Sequence, residues 1–392
     1  MLSPNKIFAL LCVGSVIVLP LYIHDAKTRV ADTTNVVAAV ASTASEAPSP
    51  PAPAQISESA ASANEATRAG EPARTEPTHI TKKAALADGK PSRGPSGPSK
   101  RVFFRYNGVD SHYGRLAFIQ LERPEQPQFV DSLSCEVAYV AGGRGICLTA
   151  NRGVFTTYAA KLFDGKTFQV LSEFRLKGVP SRSRVSADGR TAALTVFVSG
   201  HGYDSLDFST QTLLVEVEQG RILADLEEFE VTRDEKPFAN KDFNFWGVTF
   251  TPDAANFYAT LSTKGEHLLV RGDIARRSAV VVHTNVECPS LSPDGARVAY
   301  KKRTMERGRV VWQLYLLDLA TQRETPLGER RSIDDQLEWL DNDHVLYAVS
   351  ESASGPSAST EIWKVNAEAA GTPTLFLRKA YSPSVVVAAQ RP

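Results

Sequence analysis

One segment of this chain repeats, and the repeat limits the fold more than any other feature. Its clearest copy is LSPDGARVAYKKR (Leu291 to Arg303), followed by WQLYLLDLATQRETPL (Trp312 to Leu327). An apolar residue, a small polar residue, Asp-Gly and an alternating run ending in an aromatic predict strand, tight turn, strand. Leu314 to Leu319 is a third strand, and Asp318 to Gln322 turns the chain toward a fourth. A four-stranded unit of about 40–50 residues that recurs is the sequence sign of a β-propeller blade.

The unit can be followed along the last two-thirds of the chain. The second blade is CEVAYVAGGRGICLTAN (Cys135 to Asn151) with Phe155 to Asp164 and Phe168 to Leu176. The third is Ser183 to Gly200, Thr210 to Glu218 and Ile222 to Glu227, and the fourth Phe245 to Leu261, His267 to Ile274 and Ser278 to His283. The fifth runs from Glu287 to about Leu327, and the sixth from Ile333 to Ser350, then Thr360 to Asn366 and Thr372 to Leu377. The first supplies only three strands: Arg101 to Asn107, Gly114 to Glu122 and Pro127 to Ser132. The C-terminal β-branched run Ser382 to Ala389 has nothing after it to pair with. As the missing inner strand of blade one it would close the ring and leave no open edge. The expectation is therefore an all-β, six-bladed β-propeller over residues 101–392. A seventh unit hidden in 200–245 is the alternative. Asp188, Asp294 and Asp341 fall at turns of different blades, where a local acceptor serves the hairpin, so they read as turn residues and not as metal ligands.

The repeats resemble the PD40 or Tol-type repeats of TolB propellers. The resemblance lies in Ser292-Pro293-Asp294-Gly295 with Ala299-Tyr300, in Leu314 to Leu319, and in the weaker copy Ser186-Ala187-Asp188-Gly189. It covers roughly 290 residues. It implies the propeller fold and a place in the cell envelope. In TolB an α/β domain precedes the propeller and works with the Tol–Pal system, whereas residues 24–100 here cannot be such a domain. The layout is closer to TolB-like extracytoplasmic proteins with an export segment and one propeller, for which the resemblance implies no particular activity.

The N-terminal region reads differently. Residues 7–23 (IFALLCVGSVIVLPLYI) are an uncharged apolar run preceded by Lys6. The run is at the short limit for a membrane span and slightly long for a signal-peptide core, and no small-x-small cleavage pattern follows it closely. A single-pass anchor with an extracytoplasmic propeller is the expectation, and cleaved secretion the alternative. Residues 24–100, rich in Ala, Pro, Ser, Thr and Glu and without an aromatic, cannot bury enough surface to offset ordering entropy and read as a disordered linker. Net charge is zero overall and near −2 for residues 101–392, which argues against a nucleic-acid partner and weakly against anionic lipid.

Catalytic signatures are sparse. No Gly-x-Ser-x-Gly elbow falls in the propeller, and no His-Glu-x-x-His or Cys-x-x-Cys spacing occurs, so no catalytic residue, metal ligand or cofactor is assigned. Outside the apolar run stand Cys135, Cys147 and Cys288. A hairpin turning near Gly142-Gly143-Arg144 would pair Tyr139 with Cys147 and leave Cys135 roughly 13 Å from it at strand rise. That exceeds the Cα separation of about 7 Å a disulfide tolerates. Three buried free thiols are expected.

Two long connections are the better functional clue. Ser199 to Ser209 contains His201, Tyr203 and Asp204, and Glu230 to Asn244 leads into Asn244-Phe245-Trp246. Long loops in a compact fold are often functional, and this mixture of aromatic and polar groups suits a sugar, peptide or protein partner. The bland reading is that Phe243, Phe245 and Trp246 pack between blades. At the channel mouth, where inner strands begin, the sequence places Arg184, Trp246, Glu287, Asp334 and Asp335. These could hold a polar ligand or an ion, or form an ion-paired rim, and the rim is favoured. The expected function is a monomeric, non-catalytic envelope propeller that binds or scaffolds a protein, peptide or glycan. The alternative is a metal-dependent, lactonase-like hydrolase at the channel mouth.

Overall fold

The computed structural model describes residues 100–198, 209–350, 359–368 and 371–387. The apolar run, the Ala/Pro/Ser-rich stretch to residue 99, and His201, Tyr203 and Asp204 lie outside them.

The described residues form six antiparallel sheets in chain order. The first holds β1 (Lys100–Tyr106), β2 (Arg115–Gln120) and β3 (Arg123–Ser134). The second holds β4 (Val137–Ala141), β5 (Arg144–Arg152), β6 (Thr156–Asp164) and β7 (Val170–Leu176). The third is built from β8 (Val179–Val185), β9 (Thr191–Val198), β10 (Ser209–Glu216) and β11 (Ile222–Asp225). A short hairpin follows, β12 (Glu230–Arg233) and β13 (Lys236–Pro237), before the fourth sheet of β14 (Asn244–Phe250), β15 (Asn256–Thr263), β16 (Glu266–Asp273) and β17 (Ser278–Thr284). The fifth comprises β18 (Glu287–Leu291), β19 (Arg297–Glu306), β20 (Arg309–Asp318) and β21 (Glu324–Pro326). The sixth comprises β22 (Glu338–Trp339), β23 (His344–Ser350), β24 (Thr360–Asn366) and β25 (Thr374–Arg378). The last strand, β26 (Ala380–Val387), returns to pair with β1 as the inner strand of the first sheet. This is the six-bladed propeller the repeats predict, closed by its C-terminal strand.

Why the sheets stack radially is visible in the middle strands. Four successive residues of β1, Val102 through Arg105, are buried, a pattern expected of a strand covered on both faces. Val102 and Phe104 pack against Leu346 and Ile362 of blade six, while Phe103 packs against Ala138 and Phe163 of blade two. Six such apolar clusters fill the six gaps between neighbouring blades. Apolar burial thus holds the ring together one interface at a time.

The turns between inner and second strands repeat one hydrogen-bond design. In Ser292-Pro293-Asp294-Gly295 the Ser292 hydroxyl donates to Asp294 at 2.5 Å, and Asp294 accepts from the Ala296 N–H at 3.0 Å. Ser186 to Arg190 reproduces it with 2.6 and 3.1 Å contacts, and Thr251 to Ala255 with the same two values. These aspartates therefore serve their own backbones, as the sequence suggests. Gly189 (φ 74°) and Gly295 (φ 72°) take the left-handed position, but Ala254 must occupy it at φ 57°.

Residues 230–244 depart from the expected loop. β12 pairs in parallel with β17, so this stretch becomes an extra hairpin on the outer edge of blade four instead of a seventh blade. Asp234 and Glu235 both have positive φ (52° and 61°), as a two-residue hairpin turn requires. Phe229 and Val231 anchor the segment in the core, Phe229 lying 5.8 Å from Phe257. Sequence reading missed the pairing because two and four residues of strand give almost no periodic signal.

The cysteines require a correction. Cys135 and Cys147 form a disulfide, with Cα atoms 5.3 Å apart, and among the described residues Cys288 is the one buried free thiol. The expected separation failed for two reasons. The β4–β5 register pairs Ala138, not Tyr139, with Cys147. Upstream of Val137 the chain also leaves the ladder, the Cys135 N–H donating to the Gly114 carbonyl at 2.8 Å, which carries Cys135 beside Cys147.

Two outcomes follow for stability. Ala254→Gly should stabilise the fold by about 0.5–1 kcal/mol, and Gly295→Ala should weaken it comparably, because only glycine lacks the Cβ clash at positive φ; urea midpoints measure both. Cys147→Ser should lower the unfolding free energy by about 3 kcal/mol, the scale for so short a closed loop. In that variant a reductant should no longer shift the melting temperature, as it should in the parent.

Candidate functional site

Antiparallel pairing sends every inner strand from an upper rim, where the second-to-third-strand loops lie, toward the lower rim of Asp-Gly turns. Side chains two residues apart on an inner strand share the channel face, so each strand offers a residue near the mouth and one deeper. Arg182 and Arg184 of β8 are such a pair, as are Tyr381 and Pro383 of β26.

The deeper layer is a closed polar hub around Arg184, which is 5% exposed. Its Nη1 donates to the buried carboxylate of Glu338 and to the Tyr139 hydroxyl, the latter at 3.0 Å. Nη2 reaches Ser290 Oγ at 3.2 Å and the Leu337 carbonyl at 3.0 Å, and Nε the Val248 carbonyl at 3.4 Å. Glu338 also accepts from the Tyr139 hydroxyl at 3.0 Å and from the Val385 N–H at 3.1 Å. Tyr139 belongs to β4, Arg184 to β8, Val248 to β14, Ser290 to β18, Glu338 to β22 and Val385 to β26. One ion pair therefore touches the inner strand of every blade. Burial pushes both the Glu338 carboxyl and the Tyr139 hydroxyl upward, and for Glu338 this opposes the pull of the Arg184 charge.

Nearer the mouth a second set of charges surrounds Lys301, itself 2% exposed. Its ammonium donates to Asp334 at 2.5 Å and lies 4.0 Å from Glu287. Glu287 also accepts from His267 Nδ1 at 2.7 Å and from the Trp312 indole at 2.9 Å. Burial works to raise the Glu287 pKa, but the His267 hydrogen bond and the Lys301 charge hold it below the ordinary carboxylate value. Asp334, on the open side, is likewise lowered by Lys301 against its partial burial. Asp335 is fully enclosed; burial raises its pKa, opposed by Arg182 and by the Ala348 N–H at 2.9 Å. Between the two layers is a cavity of about 20 Å³ lined by Arg182, Ser183, Asp335 and Tyr381, room for one water molecule. Arg182 Nε and Ser183 Oγ face no hydrogen-bond partner. Among the described residues no three His, Cys, Asp or Glu side chains converge as a metal shell would require.

The residues expected in the recognition loop are distributed differently. Phe245 is 1% exposed and packs in the core between blades three and four. Its neighbour Phe243 lies 6.1 Å away, edge-on. Asn244 accepts from the Thr210 N–H at 2.7 Å and donates to the Asp242 carbonyl at 3.1 Å, stitching blade three to blade four. Trp246 is half-buried and stands edge-on to His267 at 5.5 Å. Of the mouth residues, Glu287 and Asp334 both face Lys301, Asp335 lines the cavity with Arg182, and Arg184 sits a layer deeper. The sequence reading overlooked Lys301, Arg182, Glu338, Tyr139 and His267. Two were accessible by alternation: Arg182 precedes Arg184 by two residues, and Lys301 is the cross-strand partner of Glu287.

This architecture is that of a TolB-like six-bladed propeller. The solved structure of TolB from Acinetobacter baumannii superposes with a TM-score of 0.51 at 16% identity, covering 74% of this chain and 66% of that protein. The chain thus spans just under two-thirds of that protein's length. A putative TolB from Agrobacterium tumefaciens gives a TM-score of 0.43 at 11% identity over 73% of this chain and 90% of that one. A chain of the nidogen/laminin complex gives 0.48 at 11% identity, with 74% and 100% covered. No family profile matches the sequence. No curated protein matches it in sequence either.

The hub makes a direct energetic prediction. Arg184→Met should destabilise by about 3–5 kcal/mol, the range for stranding one member of a buried pair. Adding Glu338→Gln to Arg184→Met should restore part of the loss. Strict additivity in chemical denaturation would show that the two groups do not act as a pair.

Proposed function

We propose that this chain is a binding or scaffold propeller of the cell envelope, anchored by its N-terminal apolar segment with the propeller on the extracytoplasmic side. It engages a protein, peptide or glycan at its upper rim and does not turn over a substrate on its axis. The observation that carries this reading is the state of the axial carboxylates. Glu338 is committed to Arg184 and Tyr139, Glu287 to His267, Trp312 and Lys301, and Asp334 to Lys301. A lactonase-like centre would need such groups turned toward a common metal ion. Here a cation from the chain itself already occupies that electrostatic role.

Two further observations support the placement. The Cys135–Cys147 disulfide suits an oxidising compartment, where such bonds persist. The upper rim also offers apolar contact: Val154 and Phe155, at the tip of the β5–β6 hairpin, are 95% and 83% exposed. Aromatic and aliphatic side chains held out on a hairpin tip are suited to partner burial.

Photo-crosslinkers placed at Phe155 and Met305 on the upper rim, and at Ala254 on the lower rim, test this in cells of the source organism. A discrete adduct from the upper positions and none from Ala254 is expected. A stoichiometric metal ion in the purified full-length protein, with chelator-dependent melting and lactone hydrolysis, would replace the binding reading with the enzymatic one.

A further inference from the structure

A groove of about 610 Å³ opens on the upper rim between blades four and five, a volume in the range of ligand sites. Its lining includes Arg233, Glu266, His267, Asn285, Arg303 and Met305. We infer that this groove is a binding site for a carboxylate group, recognised by Arg303, with Met305 covering the attached carbon chain. The inference rests on the reading of the propeller as a binding module, and names the chemistry that one of its surfaces takes.

The charge balance selects the ligand. Arg233 is already paired with Glu266 at 2.8 Å. Glu287 behind the groove is already engaged by His267, Trp312 and Lys301. Arg303 is exposed and has no carboxylate partner among the described residues. One guanidinium without a carboxylate partner suits a monoanion in the bidentate geometry that arginine and carboxylate share, and a dianionic phosphate would bring a second charge that no further unpaired cation of the groove matches.

The groove is also pre-organised. Asn285, at φ 54°, clamps the Arg303 backbone from both sides, its side chain donating to the Arg303 carbonyl at 3.0 Å and accepting from its N–H at 3.2 Å. His267 is held through Nδ1 by Glu287 at 2.7 Å, with Trp246 against the ring, which fixes the imidazole as a rigid wall of the groove. A ring fixed in this way meets a ligand without further loss of rotamer freedom. Met305, 66% exposed, offers an adaptable apolar wall.

The chain contains two methionines, Met1 and Met305, so a ¹³C-methyl methionine label puts one resonance in the groove and one far from it in sequence. Titration of the full-length protein with acetate, at constant ionic strength, should move the Met305 methyl saturably, and acetamide should not. Arg303→Gln should weaken the acetate response at least tenfold with an unchanged melting temperature, and Arg303→Lys should weaken it less. Equal responses to acetate and acetamide, or an Arg303→Gln protein that binds acetate like the parent, overturn the inference. Randomised pentapeptides with free or amidated C-termini separate the sources of the carboxylate. A free-acid pool at least tenfold tighter than acetate identifies a peptide chain end, a pool equal to acetate identifies a small acid, and equal binding of the amidated pool overturns the site. An upper-rim adduct formed by a parent protein that shows no acetate response defeats the groove alone. No adduct in the parent protein defeats the broader binding reading.

Discussion

The Arg184–Glu338 pair is the interaction on which the arrangement of the six blades converges. Each blade interface is apolar and local, and apolar packing is indifferent to small rotations of one blade against the next. A guanidinium with five donors in a fixed fork is not. From blade three it reaches the inner strands of blades two, four, five and six, with blade one joined through Glu338. A buried ion pair contributes little net stability once desolvation is counted. Its value here is that displacing any one inner strand leaves a buried charge or donor without its partner, so one arrangement of the blades is favoured over near alternatives.

The closure between first and last strands depends on the same logic. β26 supplies the inner strand of blade one, so the last strand of the propeller completes the blade that its first three strands begin. Beyond its pairing with β1, β26 is tied sideways to blade two: Ser384 Oγ accepts from the Val140 N–H at 3.1 Å, and Ser382 donates to the Ala138 carbonyl at 3.0 Å. The Val385 N–H to Glu338 contact adds the third fastening, across to blade six. The N-terminal part of the same blade is secured on its far side, where the Cys135–Cys147 disulfide holds the start of blade two against the end of β3. Blade one is therefore fixed by covalent and polar bonds at the place where the ring is joined.

Much of this fold was legible because its signals are local. Asp-Gly turns, alternating strands and an unpartnered β-branched terminus are properties of short windows, and they predicted the blades and the closure. What escaped detection depends on register or on distance in sequence. A shift of one residue in the β4–β5 hairpin, together with the bend before Val137, separates a forbidden disulfide from a formed one. Arg184 and Glu338 are 154 positions apart, and nothing in either neighbourhood announces the other. Phe245 and Trp246 are adjacent and chemically alike, yet strand alternation sends the first into the core and the second toward His267.

The division of labour within the channel bears on where binding can take place. A propeller axis is an attractive site because six strands can each contribute one group. In this chain many of those contributions are spent on one another, deep at Arg184 and near the mouth at Lys301, and the cavity between them holds about 20 Å³. On the binding reading proposed above, recognition falls outside the axis, on side chains that the ring positions but does not pair. Arg303 is one of these, as are the apolar tips of blade two. The same rigid hub that closes the axis gives those outer groups a fixed frame, which is what a site made of a few well-spaced side chains requires.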